Sequence, residues 1–372
     1  MATHLVTGAT GFVGGAIVLD LLDRTDDPII ALARPPARTE DGDAHTRLIS
    51  SLRHAATAYG RDPDALPLDR VRGIAGDVTR PNCGVEAAHL RADTLWHSAA
   101  SLRYEDRYAE EIIATNLGGT RNVLDLAREA GVSVMNTIST AYVVGGREGH
   151  MYEVPQDDAP AQNHYERSKI AAECLARGVG DLTVRVFRPS IVVGHSKTRA
   201  ATTFSGLYSF TRQMLQYRGM LDRMQAGLSR SRRIRIRAAD DTPLNLVPVD
   251  AVAAQAVHIG LTPSATGIYH LTQPDPPTVG STIRIIAEQV GFPEPEFVDG
   301  DTKLEWLDEQ LDKRLDFYSG YIRAFRVFDR SRADAALGNH HPLRCPLPPV
   351  EDLVAWYLTM LRDQRRNLPA AR

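Results

Sequence analysis

Cysteine is nearly absent: Cys83, Cys174 and Cys345 are the only three in 372 residues. Odd in number, widely scattered and without CxxC spacing, they fit neither a disulfide framework nor a zinc site, and they read as buried or incidental thiols. Long apolar runs are missing as well. No stretch approaches the ~18 uninterrupted apolar residues of a membrane-spanning helix. The first apolar run starts at His4, leaving no room for a signal peptide, so a cytoplasmic location is expected. Charge of one sign is also scarce. A formal net charge of -3 gives no global attraction to nucleic acid or acidic membranes, and neither is an expected partner. There is no internal repeat and no low-complexity tract. What remains is a chain with 43% hydrophobic residues, long enough to bury a substantial core in one large or two smaller domains.

The chain is organised around its opening, His4-Leu5-Val6-Thr7-Gly8-Ala9-Thr10-Gly11-Phe12-Val13-Gly14. A short apolar run passes into three glycines at GxxGxxG spacing and continues from Ala16 to Leu22 at helical period, which predicts strand, tight turn and helix. Gly8 permits the turn, Gly11 lets a pyrophosphate approach the backbone, and Gly14 lets the helix lie close to the strand. Together with Thr10, Phe12 and Val13 they form a dinucleotide-binding opening, with free N-H groups of the helix N-terminus offered to phosphates. Pro28 to Arg34 reads as a second strand. An acid at its end would accept a hydrogen bond from a ribose 2'-hydroxyl, whereas Arg34 suits a 2'-phosphate. The expected cofactor is therefore NADP(H), with Arg47 as a second phosphate ligand; a solvated surface arginine is the alternative for Arg34.

Val71 to Val78 reads as the third strand. Asp77, with Val78 beside it, either holds the adenine edge or caps a turn. Thr94 to Ala100 is a fourth strand, and small Ser98, Ala99 and Ala100 at its end leave space for a cofactor. His97 is read as packed beside that cofactor rather than as an acid-base group. Asn116 to Thr120 interrupts a helical pattern that resumes through Ala127 and stops at Gly131. Strand and helix alternate throughout. The expected fold class is α/β, a Rossmann-type doubly wound parallel sheet with a smaller, helix-rich C-terminal substrate-binding region.

Val134 to Gly145 forms a further strand that ends in two adjacent hydroxyls, Ser139 and Thr140. Tyr165-Glu166-Arg167-Ser168-Lys169 follows and opens a helical run, so the phenol and the ammonium, at i and i+4, share one face. A free tyrosine titrates near ~10. Bringing it about three units toward neutrality takes roughly 4 kcal/mol of anion stabilisation, which the neighbouring ammonium and a positively charged nicotinamide are expected to help supply. The phenol then serves as general acid toward a carbonyl oxygen while hydride arrives from the cofactor.

With TGATGFVG, GDVT, HSAA, NLGGT, ISTAYVVG, YERSK and FRPSIVVG in place, residues 3 to about 275 resemble the extended short-chain dehydrogenase/reductase superfamily. The resemblance implies a hydroxyl role for Thr140, the general acid in Tyr165, and in Lys169 the partner that binds the nicotinamide ribose and tunes the phenol. Ser139 is the other candidate hydroxyl; Thr140 is preferred because it stands five residues before Gly145. By the same resemblance Pro189, Ser190 and Ile191 run past the nicotinamide. Within the superfamily, TGATGFVG with Arg34, Arg47-Leu48, GDVTRPNCG and RPSIVVGHSKT look most like thioester reductases and fatty acyl-CoA reductases. Those enzymes reduce an acyl thioester to an aldehyde, sometimes onward to an alcohol. The implied substrate is an acyl thioester carried by CoA or by an acyl or peptidyl carrier protein bearing phosphopantetheine. Reduction of a free ketone or aldehyde, sugar-nucleotide epimerase or dehydratase chemistry, and a non-catalytic NADP-binding protein are the competing readings. The C-terminal part departs from the pattern of long-chain acyl-CoA reductases.

Residues 1-200 are thus expected to form the dinucleotide-binding domain and 201-372 mainly the substrate-binding region, with late strands near 245-275 returning to the sheet. A Met- and aromatic-rich helical stretch, Phe204 to Met224, reads as core or as the wall of an acyl pocket. Arg230 to Arg237 reads as a solvated strand face, or as a contact for coenzyme A phosphates or an acidic carrier surface. The superfamily pattern has Asp250 capping a helix. Leu315 to Phe328 forms a lid-like segment in which core packing is the default. A last amphipathic helix spans Val350 to Leu361, followed by a polar tail from Arg362.

Overall fold

The structure, a computed structural model, describes residues 1-35, 42-86, 90-338 and 345-366. Seven strands build one sheet: β1 (His4–Thr7), β2 (Ile29–Ala33), β3 (Val71–Ala75), β4 (Thr94–His97), β5 (Val134–Ile138), β6 (Thr183–Pro189) and β7 (Gly267–Leu271). Their order is β7-β6-β5-β4-β1-β2-β3, and every pairing is parallel. The strand order reverses between β1 and β4. Connections therefore leave their carboxyl ends in opposite directions, opening the crevice in which doubly wound sheets hold ligands.

The sheet carries helices on its faces, so its strands are near-continuous apolar runs rather than alternating ones. Leu5, Val6, Ile29, Ala31, Leu95, Trp96, Met135, Val186 and Phe187 are fully buried. The helices that follow the strands are α1 (Phe12–Arg24), α2 (Ala44–Ala58), α3 (Gly119–Ala130), α4 (His164–Arg177), α5 (Val249–Leu261) and α6 (Ser331–Leu337). The expected interruption at Asn116 is not a break. A short helix, Ala109–Ile113, runs through a π-helical turn, Ala114–Gly118, directly into α3. The turn adds a residue to the helix and rotates Asn116 into the interior, where it is buried.

Two buried charges fasten late elements to this sheet. Arg185 of β6 donates to the carbonyls of Gly260, Thr262 and Ala265 at 2.7 to 2.9 Å, satisfying the end of α5. The Glu153 carboxylate accepts the backbone N-H groups of His270, Arg332 and Ala333, tying β7 to the first turn of α6.

The chain divides into two compact units, the first made of residues 1-190, 249-272 and 328-345, the second of 191-248, 273-327 and 346-372. The change thus falls at Ser190 rather than at residue 200. Of the late strands, β7 joins the main sheet, whereas Leu246–Pro248 pairs in parallel with Ile191–Val193 of the second unit. Asp250 lies inside the first turn of α5, not ahead of it.

The second unit has its own core. Met214, Tyr217 and Leu221 of the helix Leu207–Met224 pack with Ile283, Ile286, Leu315, Tyr318, Ile322 and Leu353. The Met- and aromatic-rich stretch is therefore interior, while Met224 and Phe325 face solvent. The arginine run is not a free basic face. Arg232 pairs with Glu305 and Asp308, Arg235 with Glu296 and Arg237 with Asp312, while Arg233 donates to the Glu294 carbonyl. The last helix, Val350–Arg366, continues four residues past the start of the expected polar tail. The end of that tail, residues 367-372, lies outside the described residues.

Candidate active site

The opening turn is built by close packing. Gly8 has φ +74°, and a Cβ there would lie 2.6 Å from the Ala99 nitrogen and 2.7 Å from the Ser98 carbonyl carbon. At Gly14 a Cβ would stand 2.2 Å from the Gly8 oxygen. Neither position accepts a side chain, so α1 and the end of β4 both press against the turn. Gly11 is the N-cap of α1 and supplies no side-chain hydrogen bond to its first turn. Thr10, Gly11, Phe12 and Val13 thus present backbone, at the positive end of a helix, to a cradle that a Cβ would fill. The cradle fits the pyrophosphate of a dinucleotide.

Arg34 stands exposed just beyond β2, and its carbonyl accepts the Arg47 Nη1 from α2 at 2.8 Å, so the two expected phosphate ligands meet. Asp77 lies past the end of β3. Burial pushes its carboxyl up but is outweighed by hydrogen bonds from Thr79 and by the charges of Arg34 and Arg80, which hold it below the usual range. The Thr79 N-H and hydroxyl donate to Asp77 Oδ1 at 2.9 and 2.8 Å, the turn-capping arrangement. The Val78 carbonyl accepts from Asn122 of α3 at 2.8 Å. Ser98, Ala99 and Ala100 follow β4 and are partly buried.

His97 is a satisfied core histidine. Its Nδ1 pairs with the Thr7 hydroxyl at 2.8 Å and its Nε2 with the Thr120 hydroxyl at 3.1 Å. Burial, and then the charge of Lys169, bring its imidazole down to about 3, so it is neutral near pH 7.

Helix α4 starts where Asn163 accepts the Glu166 N-H at 2.9 Å, while the Glu166 carboxylate accepts the Gln162 N-H at 2.8 Å. This fixes Tyr165 in the first turn and Lys169 one turn later. Thr140 follows β5, its hydroxyl accepting the Tyr142 N-H at 3.2 Å and lying within hydrogen-bonding reach of the Tyr165 phenol. Ser139 is directed elsewhere and donates to Glu173 Oε2 at 2.8 Å. Lys169 Nζ donates to the Ile138 carbonyl at 2.7 Å. Burial brings this ammonium down to about 8, against the pull of the Glu173 carboxylate.

The expected acidification of the phenol is corrected by the structure. Burial pushes Tyr165 above its ordinary value, the Glu166 charge adds to the rise, and the Thr140 hydroxyl only opposes it. In the protein alone, taking the phenolate out of water outweighs any help from its cationic neighbour.

Pro189 closes β6 and Ser190 donates its N-H to the Leu271 carbonyl at 3.4 Å, both in the first unit; Ile191 opens a strand of the second. Several further residues support this arrangement. Asn116 accepts the Ser101 N-H at 2.7 Å and donates to Ser168 Oγ at 2.8 Å, and Ser168 in turn donates to the Tyr165 carbonyl at 2.7 Å. The π-helical turn thereby grips the start of α4. Glu173 and Arg188 form a buried ion pair behind Ser139. Asn116 and Ser168 fall within the NLGGT and YERSK segments, and Glu173 shares the helical face of Lys169. Among the described residues no cluster of ligating side chains suits a metal ion, and no helix is long and apolar enough to cross a membrane.

Comparison with known proteins adds to this geometry. The pattern of the male sterility protein family matches residues 6-256. Glycine betaine reductase of Emericella nidulans is 28% identical over 305 residues, covering 78% of this chain and 22% of that protein. A linear gramicidin synthase polypeptide from Brevibacillus parabrevis is 28% identical over 330 residues, covering 84% of this chain and 6% of that polypeptide. The chain therefore spans less than a quarter of either relative. Among solved structures, the terminal R domain of the myxalamid PKS-NRPS pathway superposes with a TM-score of 0.75 at 25% identity, covering all of this chain and 93% of that one.

Proposed function

Given that the chain belongs to the male sterility protein family, an NAD(P)-dependent oxidoreductase family of the extended short-chain dehydrogenase/reductase superfamily, we propose that it reduces an acyl thioester with NADPH. The aldehyde is the first product, and the acyl group is carried by phosphopantetheine on a carrier protein or by coenzyme A. The observation that carries this reading is that Thr140, within hydrogen-bonding reach of Tyr165, and Lys169, bonded to the Ile138 carbonyl, both lie at the carboxyl end of β5. The likeness to R domains supports the thioester as substrate.

In this reading Gly8, Thr10, Gly11, Phe12, Val13 and Gly14 hold the pyrophosphate. Arg34 and Arg47 hold the 2'-phosphate, and Asp77 and Val78 border the adenine. Ser98, Ala99, Ala100, Pro189, Ser190 and Ile191 border the nicotinamide end, while Lys169 holds the ribose. When bound, the reduced nicotinamide supplies hydride to the thioester carbon. Thr140 and Tyr165 donate hydrogen bonds to the carbonyl oxygen as it gains charge, and the Tyr165 proton passes to it. Burial makes the Tyr165 phenol a weaker acid in the protein alone, and the Thr140 hydroxyl is the group that works against this rise. The resulting hemithioacetal then collapses, its C-S bond breaking to leave aldehyde and thiol.

NADPH oxidation followed at 340 nm, with acyl-CoA, acyl-pantetheine and simple aldehydes, tests the proposal. The expected result is thioester-dependent oxidation with one thiol released per acyl group consumed; a second NADPH per thiol marks onward reduction to alcohol. Turnover of aldehydes alone, without thiol release, would overturn it.

A further inference from the structure

Glu173 stands one turn beyond Lys169 on α4 and is only 4% exposed. Its Oε2 accepts the Ser139 hydroxyl at 2.8 Å and Arg188 Nε at 3.1 Å, while its Oε1 faces Arg188 Nη2 and, at 3.6 Å, Arg177 Nε. Arg188 is fully buried in β6 and donates its Nη1 to the Val154 carbonyl at 2.9 Å. Lys169, Glu173 and Ser139 line one small pocket together with His97 and Asn116. The chemistry above gives Glu173 nothing to do. Yet a buried ion pair is seldom more stabilising than apolar side chains of the same volume, so packing alone does not account for it.

We propose that Glu173 is a positioning residue with two effects: it clamps the hydroxyl end of β5 to α4 through Ser139, and it is the counter-charge that keeps Lys169 an ammonium. The clamp leaves Thr140, the next residue, as the hydroxyl that reaches Tyr165. The ionisable and polar groups around Lys169 are few. On α4 they are Glu173 and the neutral phenol of Tyr165; β4 contributes His97, also neutral; β5 contributes the Ile138 carbonyl; β6 contributes Arg188, already engaged with Glu173. Of these, the carboxylate is the charge that works to retain the Lys169 proton against burial. The functional consequence rests on the reductase reading, since that reading gives Lys169 its role, but the electrostatic one does not.

The chain has four lysines, Lys169, Lys197, Lys303 and Lys313, and the last three are exposed. Trace acetylation of the whole protein from about pH 6 to about pH 11, read by mass spectrometry, gives the deprotonation midpoint of Lys169 with the other three as internal standards. In Glu173→Gln the Lys169 midpoint is expected to fall by about one unit or more while the other three stay in place. NADPH binding, followed by fluorescence, is expected to weaken at correspondingly lower pH. Glu173→Asp, which keeps the charge, should restore the midpoint even where it lowers the melting temperature. If Glu173→Gln does not fold because Arg188 loses its partner, the pair Glu173→Gln with Arg188→Gln removes both charges, and the same downward shift is expected. A lowered melting temperature with an unmoved Lys169 midpoint would make Glu173 purely structural and overturn the proposal. A shifted midpoint in a protein that reduces no thioester would instead sustain it and sink the reductase reading.

Discussion

Replacing Gly14 by Ala sets two effects of opposite sign against each other at the centre of the site. Residue 14 lies in the first turn of α1, where alanine is favoured over glycine by about 1 kcal/mol in helix propensity. Against this, the new Cβ would stand 2.2 Å from the Gly8 oxygen, 2.7 Å from the Gly8 carbonyl carbon and 3.2 Å from the Ala9 nitrogen. All three are backbone atoms and cannot rotate aside. The helix must back away until the nearest contact reaches the 3.4 Å at which ordinary packing begins. Overpacking of this kind costs about 1 to 3 kcal/mol, so after the propensity gain the variant should be net destabilised by up to about 2 kcal/mol. The displaced helix also carries its first N-H groups off the phosphate position. Losing even one hydrogen bond to a charged group costs about 1.5 to 3 kcal/mol, which weakens NADPH binding by about tenfold or more. Fluorescence titration of NADPH and a thermal melt measure both quantities. A variant that melts higher, as propensity alone dictates, and binds NADPH as tightly as before would refute the close-packed turn as the reason for this glycine.

Three further perturbations probe other parts of the chain. Arg34→Ala should raise the Michaelis constant for NADPH about tenfold or more and leave that for NADH within about twofold, since a guanidinium discriminates only where a 2'-phosphate is present; equal effects on both would remove the assignment. His97 and His270 are buried, with imidazoles brought down to about 3 and about 4, chiefly by burial. The unfolded chain takes up their protons near 6.5 while the folded one refuses them, so their stabilising share is complete above that pH and is lost as pH falls through the 6.5 to 4 window. Roughly 2 to 3 kcal/mol per histidine should be gone by about pH 4.5, and a melting temperature that does not change between pH 7 and pH 4.5 would show that both titrate normally. Arg185→Met removes three strong bonds to the carbonyls that end α5; urea denaturation should show a loss of about 3 to 5 kcal/mol, and a loss below about 1 kcal/mol would mean that water replaces the guanidinium there.

What could be read along the chain was what is local. The glycine spacing, the strand-helix alternation and the four-residue interval between Tyr165 and Lys169 each depend on neighbours within a turn or two, and each leads directly to an observed element. What could not be read depends on partners far off in sequence. Ser139 and Thr140 are adjacent and chemically alike; what separates their partners is Glu173, 34 residues later, itself held by Arg188 on a different strand. The arginines of 230-237 look like a basic face until Glu305, Asp308 and Asp312 fold onto them from more than sixty residues away. The sign of the Tyr165 shift is the most instructive case. Sequence spacing counts the ammonium one turn away but cannot count the water removed from the phenol, and in the folded chain desolvation is the larger of the two. In the proposed reading this phenol has to deliver a proton. A phenol with a raised pKa is the weaker acid, so its proton leaves readily only where the charge left behind is stabilised, and in the chain alone the Thr140 hydroxyl is the group that works in that direction.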